Sequence, residues 1–302
     1  MLLHQILEGM PGRPAYRLID ERPFECLALC VSELERPNLI FIDKEAYIPS
    51  IKPSVSMVLT TPALSESVRK AGAGVCIVDQ PRSFFFQLHN FLANCSDYIR
   101  PPFPVEIGDG CRISPLSSIA GANVRIGSGV VVEEFVTIRE NTVIGDNCIV
   151  RSGSCIGGQG FEFKRFHNEI LSVAHLGGVM IGNNVEIQQN TAVDRAIYPW
   201  DDTVIGDHTK IDNLVHIAHA VKIGRCNMIV ANSGIGGRTV VGDDCWIGFG
   251  ATVINGITIG DRARVNMGAV VTKSVPPDGS VTGNFAIDHA QFIQNLKKSL
   301  LP

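Results

Sequence analysis

Two histidines, His216 and His219, stand three residues apart in the segment IDNLVHIAHAVKIG, residues 211–224. A neutral imidazole accepts a proton near neutral pH because its unperturbed pKa is about 6.5, and it is also a common metal ligand. The pair is therefore a candidate for general-base or metal chemistry. Which of the two applies depends on the structure of the segment, because the fold decides which side chains meet.

The segment belongs to a long series in which a branched aliphatic residue recurs at every sixth position. The series runs from Ile181 to Val271, and fifteen of its sixteen positions hold Ile or Val, with Pro199 as the exception. A shorter series with the same step runs from Ile126 to Ile156. A period of six fits neither an α-helix nor a heptad, but it fits short strands and turns that each send one side chain inward. We therefore predict a mainly β fold, a parallel β-helix in which three hexads close each triangular coil.

The two histidines occupy different places in this predicted coil. Ile217 points inward, so its neighbour His216 points outward, where a solvated side chain is the ordinary outcome, while His219 falls near the turn. Zinc binding is the weaker alternative, because His208, His216 and His219 are separated by eight and three residues and so lie on different faces or at a corner. We predict no metal site.

The aliphatic series is interrupted by a polar, irregular stretch, GGQGFEFKRFHNEILSVAHLGG, residues 157–178. We call this stretch the excursion, because its composition predicts that it leaves the coil. Loops of this kind often carry function.

The chain divides near residue 100. The three prolines of RPPFP, residues 100–104, cannot continue a helix or a central strand. Before them, short apolar runs alternate with helix-like stretches, which predicts a small α/β domain over residues 1–100. We assign the β-helix to residues 105–283 and a short C-terminal helix to residues 284–302.

Composition and charge limit the class of partner. A hydrophobic fraction of 45%, a net charge of −4 and a pI of about 6.1 describe an ordinary globular protein without a basic surface, so nucleic acid is not an expected partner. The N-terminus lacks the apolar stretch of a signal peptide, and no apolar run approaches about 18 residues, so we expect a cytoplasmic protein without membrane insertion. The nine cysteines are scattered without a C-x-x-C pair, which favours reduced structural thiols.

Three segments carry a specific resemblance: VEIQQNTAVDRA, DDTVIGDHTKIDNLVHIAHAVKIG, and QGFEF within the excursion. They resemble the UDP-3-O-acylglucosamine N-acyltransferase family of lipid A biosynthesis, whose members are left-handed parallel β-helices built from hexapeptide repeats. The resemblance implies that His219 is a general base and that Asp212, seven residues earlier, orients and polarises it. We add Asn213, His216 and Gly237 to the predicted substrate-binding surface. Gly237 ends the turn GIGG, whose amides are candidate donors to an oxyanion.

Four aromatic residues complete the predicted binding surface. In FIDKEAY, Phe41 and Tyr47 resemble the two aromatics between which this family stacks uracil, at about 1 to 3 kcal/mol per stacking contact. The alternative for Phe41 is a place in the core of the first domain. In the excursion, Phe161 and Phe163 either line a tunnel for the acyl chain or pantetheine arm, or pack at a subunit interface.

The resemblance implies an N-acyltransferase that moves an acyl group from acyl-CoA or acyl carrier protein to the amine of a UDP-linked amino sugar, with no permanently bound cofactor. Two departures leave the donor open: Ile257 stands where the family has a second histidine, and residues 268–286 resemble the end of CoA-dependent sugar N-acetyltransferases. The alternatives are a short-chain acyl-CoA-dependent enzyme of O-antigen or other glycan biosynthesis, and a non-catalytic solenoid scaffold. We expect a homotrimer, because one prism offers only one wall of a cleft.

Overall fold

The first 100 residues form a small α/β unit with one mixed sheet. The computed structural model describes residues 1–166, 168–283 and 285–300 of the chain. The helices of this unit are Leu3–Gly9 (α1), Ser65–Lys70 (α2) and Pro81–Leu92 (α3), with a 3-10 helix at Glu45–Ser50, and its strands are Tyr16–Asp20 (β1), Cys26–Leu27 (β2), Asn38–Ile42 (β3), Val55–Thr60 (β4) and Gly74–Val78 (β5). The sheet order is β1-β5-β4-β3-β2, with β1 antiparallel to β5 and the remaining pairs parallel. The central strands β4 and β5 are almost wholly buried, which explains their continuous apolar sequences.

The solenoid follows as three parallel sheets that form the sides of a prism. The first sheet contains Arg112–Ile113, Val131–Val132, Ile149–Val150, Glu186–Ile187, Lys210–Ile211, Met228–Ile229, Trp246–Ile247, Arg264–Val265 and Ser280–Val281. The second contains Ser118–Ile119, Thr137–Ile138, Cys155–Gly158, Ala192–Asp194, His216–Ile217, Gly234–Ile235, Thr252–Val253 and Val270–Val271. The third contains Glu106–Ile107, Val124–Ile126, Thr142–Ile144, Gly178–Ile181, Asp202–Ile205, Lys222–Ile223, Val240–Val241 and Thr258–Ile259. The predicted β-helix of hexapeptide repeats is confirmed.

The six-residue period arises because each side of a coil sends one side chain inward, and these side chains stack in register with those of the neighbouring coils. Ile217 pairs in register with Val193 below it and with Ile235 above it, and all three are buried. The turns repeat with the same step, and residues such as Leu214 and Ala220 adopt a left-handed backbone with φ of 57° and 58°. Pro199 departs from the aliphatic pattern because it lies in a loop between two strands rather than in a strand.

The excursion leaves the coil as predicted, and it folds as an antiparallel hairpin of Phe163–Phe166 and Glu169–Ser172. It packs against α3, where Nε2 of His89 contacts the carbonyl of Ala174 at 2.9 Å. A second loop, residues 195–201, reaches the same domain, and Nε1 of Trp200 donates to the carbonyl of Leu27 at 2.8 Å. The excursion and this loop therefore pack into the hydrophobic core of the first domain, while the interior of the prism forms a separate core.

The predicted C-terminal helix is present at His289–Leu300 (α4). The remaining part of the predicted segment includes Asn284, Leu301 and Pro302, which lie outside the described residues. Within the described ranges, no helix has both the length and the apolar character needed to cross a membrane.

Candidate active site

His219 lies just beyond the strand His216–Ile217, at a corner of the prism, and the excursion covers it. The residue is buried, with a relative exposure of 7%. Its carbonyl accepts a hydrogen bond from the backbone N–H of Arg238 in the next coil, which fixes the main chain. A Cβ atom at Gly237 would lie 2.6 Å from Cε1 and Nε2 of the imidazole, so the ring uses the space that glycine leaves.

The carboxylate next to His219 belongs to Glu162 of the excursion. Its Oε2 lies 3.4 Å from Nε2 of His219, and its Oε1 pairs with the ammonium of Lys164. Burial disfavours the charged form, but the hydrogen bonds from His219 and Lys164 outweigh it and lower the pKa of Glu162 to about 2. Glu162 is therefore an ionised carboxylate held against an imidazole in a nearly dry environment.

A second imidazole, that of His175, packs edge-on against His219 with ring centroids 5.8 Å apart. Burial, together with the neighbouring His219, lowers the pKa of His175 to about 4, so the ring is neutral at pH 7. Nδ1 of His175 faces the carbonyl of Val173 at 3.0 Å and donates to it, which leaves the lone pair on Nε2. Among the described residues, neither Nε2 of His175 nor Nδ1 of His219 has a hydrogen-bond partner.

His216 points outward, as the strand alternation predicts, and its side chain is half exposed. It is not merely solvated, because its Nε2 lies 2.9 Å from Oδ2 of Asp194 on the coil below. The hydrogen bond that Nε2–H of His216 donates to the carboxylate of Asp194 raises the pKa of His216. We call Glu162, His175 and His219, together with Asp194 and His216, the polar cluster. Asp194 and His216 extend it onto the open face of the second sheet.

The predicted contact between Asp212 and His219 is not made within one chain. The oxygens of Asp212 accept hydrogen bonds from the backbone and side-chain amides of Asn213 and from the backbone N–H of Ala231. Asn213 is likewise engaged, since its Oδ1 accepts from the N–H of Gln189 at 3.0 Å. Asp212 follows a strand of the first sheet and His219 a strand of the second, so the two residues lie at successive corners of the prism.

The four predicted aromatic residues fall into two places. Phe161 and Phe163 lie on the excursion, exposed, with ring centroids 4.8 Å apart. Phe41 is partly buried against Phe85, with ring centroids 5.1 Å apart, while Tyr47 is 40% exposed on the 3-10 helix. Phe41 thus combines a core contact with a partly open face.

A cavity of about 600 Å³ opens between the first domain and the excursion. Its floor includes Asp43, Thr61 and Asp79, which directly follow β3, β4 and β5 at the carboxyl edge of the sheet. Ligands of open α/β sheets bind at this edge. Its wall includes Arg82 at the start of α3, and its cover includes Phe163, Lys164 and Arg165 of the excursion. The guanidinium of Arg82 lies 5.9 Å from the ring centroid of Phe41. The three basic side chains outnumber the two carboxylates of the floor, so the lining has a net positive charge, which suits an anionic ligand.

Sequence reasoning missed three members of the polar cluster, namely Glu162, His175 and Asp194. Glu162 stands between the two phenylalanines in QGFEF, and Asp194 belongs to VEIQQNTAVDRA, so both lay inside segments that carry the resemblance. His175 ends the excursion close to its return to the coil. The only signal was the place of the two carboxylates inside those segments, because the partner of each residue cannot be predicted from its spacing in the sequence.

Comparison with known proteins places this arrangement in a family. The model of the bacterial transferase hexapeptide (six repeats) matches residues 123–158 and 202–237, and that of the hexapeptide repeat of succinyl-transferase matches residues 238–273. A protein of Delftia acidovorans named UDP-3-O-acylglucosamine N-acyltransferase is 32% identical over 304 residues, covering 95% of this chain and 87% of that relative. The chain belongs to the UDP-3-O-acylglucosamine N-acyltransferase family. The resemblance that the sequence indicates is confirmed.

Other matches to this N-acyltransferase family are shorter. A relative of the same name from Herminiimonas arsenicoxydans is 35% identical over 167 residues, which is 55% of this chain and 47% of that protein, so the chain spans about half the length of that relative. The solved structure of Arabidopsis UDP-N-acetylglucosamine acyltransferase is 29% identical and superposes with a TM-score of 0.54, covering 63% of this chain and 67% of that one.

Proposed function

We propose that this protein transfers an acyl group from a pantetheine thioester to the amino group of a UDP-linked amino sugar. The observation that carries the proposal is the position of the excursion. Its Glu162 contacts His219, and its Lys164, two residues later, lines the cavity beside the first domain. One hairpin thus adjoins both a proton acceptor and a cavity suited to a nucleotide diphosphate. Membership in the N-acyltransferase family supports the same reaction.

The reaction needs a proton acceptor at one point. As the amine nitrogen attacks the thioester carbonyl carbon, the C–N bond forms, the nitrogen loses a proton and the C–S bond breaks to release the thiol. His219 accepts the amine proton and returns one to the leaving sulfur. General-base assistance contributes roughly 100-fold to 10,000-fold, and fixing both substrates in one groove contributes much of the remainder.

A donor panel tests the reaction directly. The protein is incubated with a UDP-linked glucosamine bearing a free 2-amine, together with acyl-CoA or acyl carrier protein thioesters of increasing chain length, and the products are analysed by mass spectrometry. We expect an N-acylated UDP-sugar with at least one donor, and the preferred donor distinguishes CoA from acyl carrier protein. A folded protein that acylates no amine with any donor would contradict the proposal and favour the scaffold alternative.

The uracil is assigned to the surface between Phe41 and Tyr47, next to the basic cavity. Tyr47→Ala is expected to weaken UDP-sugar binding by roughly 5-fold to 150-fold, the equivalent of about 1 to 3 kcal/mol for one lost stacking contact. The half-exposed Tyr47 makes this the cleaner substitution, because Phe41 also packs against Phe85. Calorimetry with UDP measures the effect, and an unchanged KM for the acyl donor serves as the internal control. Wild-type affinity for UDP in the variant would return Tyr47 to a structural role.

We further propose a homotrimer with the active site shared between chains. Several large apolar side chains of the solenoid are exposed in the single chain, including Met228, Phe249, Met267 and Val270. Exposed apolar surface on this scale is typical of an interaction surface. In a cyclic trimer, a second chain would bring its own corner, with Asp212 and Asn213, towards His219 and could complete the acyl tunnel beside Phe161 and Phe163.

Light scattering in dilute solution measures this assembly. We expect a mass near three times 32.6 kDa, because a closed threefold ring satisfies each chain with equivalent contacts. Activity and mass are followed together during dilution, and we expect turnover to disappear with the trimer. A monomer that turns over at the wild-type rate would contradict a shared site, even though the β-helix would remain correct.

A further inference from the structure

Arg238 lies at the corner of the prism where His219 stands, one coil further along the solenoid. Its backbone N–H donates to the carbonyl of His219 at 3.0 Å, and the preceding Gly237 leaves the space that the imidazole fills. Arg238 itself adopts the left-handed backbone, with φ of 61°. The main chain therefore fixes the start of this long cationic side chain directly beside the proposed base.

Arg238 is half-buried and has no carboxylate partner, which distinguishes it from the other half-buried arginines of the coils. Arg151 and Arg195 each pair with a glutamate side chain. Among the residues that the structure describes, the side chain of Arg238 makes neither a hydrogen bond nor an ion pair. None of its guanidinium nitrogens belongs to the buried, unpartnered polar atoms, so the group is accessible to a ligand. A partly buried cation is stabilised when an anion meets it.

The charged groups on the inner side of Arg238 do not neutralise it. Burial raises the pKa of Tyr198 and the charge of Arg238 opposes this effect, so the guanidinium lies on the side of the loop 195–201. The carboxylates that act on the same hydroxyl are Glu162 and Asp201, and each of them already pairs with a lysine. Within the described part of the chain, the positive charge of Arg238 is thus left uncompensated.

The corner also leaves room beside this side chain. The equivalent positions on the preceding and following coils hold Ala220 and Gly256, in the same left-handed conformation with φ of 58° and 73°. A Cβ at Gly256 would meet no heavy atom of the described residues within 4 Å. Arg238 is therefore the one long side chain at these three positions, and it adjoins open space.

A guanidinium with these properties suits a phosphate, which it binds through parallel N–H donors and an opposite charge. Both substrates of the proposed reaction carry phosphate, but at different distances from the reacting atoms. In the acceptor, the amine and the diphosphate are attached to neighbouring carbons of the sugar ring, so a phosphate accompanies the amine to the base. In the donor, the whole pantetheine arm separates the thioester from the phosphate. The chemistry therefore favours the acceptor as the source of a phosphate beside His219.

We propose that Arg238 binds the sugar-linked phosphate of the UDP-linked amino sugar and thereby holds the amine next to His219. This inference rests on the proposed function, in which His219 is the general base. The uridine-linked phosphate remains for the basic side chains of the cavity beside the first domain. Arg238 is thus a substrate-binding residue, whose loss affects affinity more than the chemical step.

Binding of UDP and UMP to Arg238→Asn measures this contact without any turnover. UMP lacks the second phosphate, so calorimetry with both nucleotides isolates that group. We expect UDP to bind about 10-fold to 150-fold more weakly than to wild type, the effect of a lost hydrogen bond to a charged group, whereas UMP binding changes by less than about 3-fold. Asparagine tolerates the left-handed turn, so the variant should fold.

The matched control is Arg262→Asn, which removes an arginine with φ of 56° at a different corner of the prism. Its ion pair with Asp278 is exposed and contributes little to stability. This variant should bind UDP as wild type does. Equal UDP affinity in the two folded variants, as judged by thermal unfolding, would overturn the proposal.

Steady-state kinetics assign the phosphate to one of the two substrates. In Arg238→Asn, the KM for the UDP-sugar should rise by about 10-fold to 150-fold, while kcat at saturation stays within about 10-fold and the KM for the acyl donor is unchanged. A raised KM for the donor beside a wild-type KM for the UDP-sugar would place the donor's phosphate at Arg238 and overturn the proposal.

The proposed reaction and the role of Arg238 fail in different ways. If wild type acylates no amine but its UDP affinity still depends on Arg238, the phosphate site stands and the reaction is wrong. If wild type acylates the UDP-sugar and Arg238→Asn matches Arg262→Asn in UDP affinity and KM, only the role of Arg238 is wrong.

Discussion

His219→Ala is expected to lower kcat by at least 100-fold while the solenoid remains folded. The loss follows from removal of the proton acceptor, whose contribution lies in the range of roughly 100-fold to 10,000-fold. The fold should survive because Ile217, Ile235 and Val193 form the local core ladder and the alanine keeps every backbone hydrogen bond of the turn. Glu162 also keeps its pairing with Lys164, so no charge becomes isolated in the interior.

Steady-state kinetics and thermal unfolding measure the two parts of this expectation. The matched control is His208→Asn, an exposed turn histidine of the same solenoid with φ of 62°, a conformation that asparagine tolerates. It should retain wild-type kcat. If His219→Ala kept activity within a few-fold of the control, the assignment of the base would be wrong, whatever the substrate proves to be.

Gly237→Ala is expected to lower kcat by about 100-fold, although it adds only a methyl group. The added Cβ would lie 2.6 Å from Cε1 and Nε2 of His219, which is far inside van der Waals contact, so the imidazole must move. A displacement of about 1 Å in a catalytic group can cost on the order of 100-fold in rate. The backbone at Gly237 is outside the left-handed region, so alanine is tolerated there except for this contact.

The chain supplies a matched control three residues earlier. Gly234 lies in the same GIGG segment, and a Cβ at that position meets no heavy atom within 4 Å. Gly234→Ala should therefore keep wild-type kcat, and the difference between the two variants isolates the contact with His219. In a His219→Ala background, Gly237→Ala should have no further effect on turnover, because the methyl group then occupies free space. Equal kcat in Gly237→Ala and Gly234→Ala would contradict the geometry.

The period of six was sufficient to predict the solenoid, its phase and the orientation of its histidines. Each hexad has one inward position, so a single aliphatic series determines which residues face the core and which face outward. The prediction therefore placed Ile217 inside and His216 outside, as the structure has them. The same logic located the excursion, because a polar stretch cannot occupy inward positions at acceptable cost in free energy.

The sequence also predicts the chemistry of the candidate site. The Ala-His pair in the aliphatic series marked His219, and the family resemblance assigned a base to that position before any contact was known. What the sequence determined by itself was thus local and periodic: the coil, the corner at which His219 stands and the places where the chain departs from the coil.

Only the tertiary structure decided which carboxylate lies beside His219. Asp212 is close to His219 in sequence, but a step of seven residues carries the chain from one corner of the prism to the next. At its own corner, Asp212 accepts hydrogen bonds from Asn213 and Ala231. Glu162 is 57 residues from His219 in sequence and reaches it because the excursion folds back over the coil, anchored to α3 of the first domain. The physical reason is that hexad spacing fixes neighbours along the solenoid axis, whereas the path of a loop outside the coil depends on packing between two domains. That packing is non-local, and no period in the sequence records it.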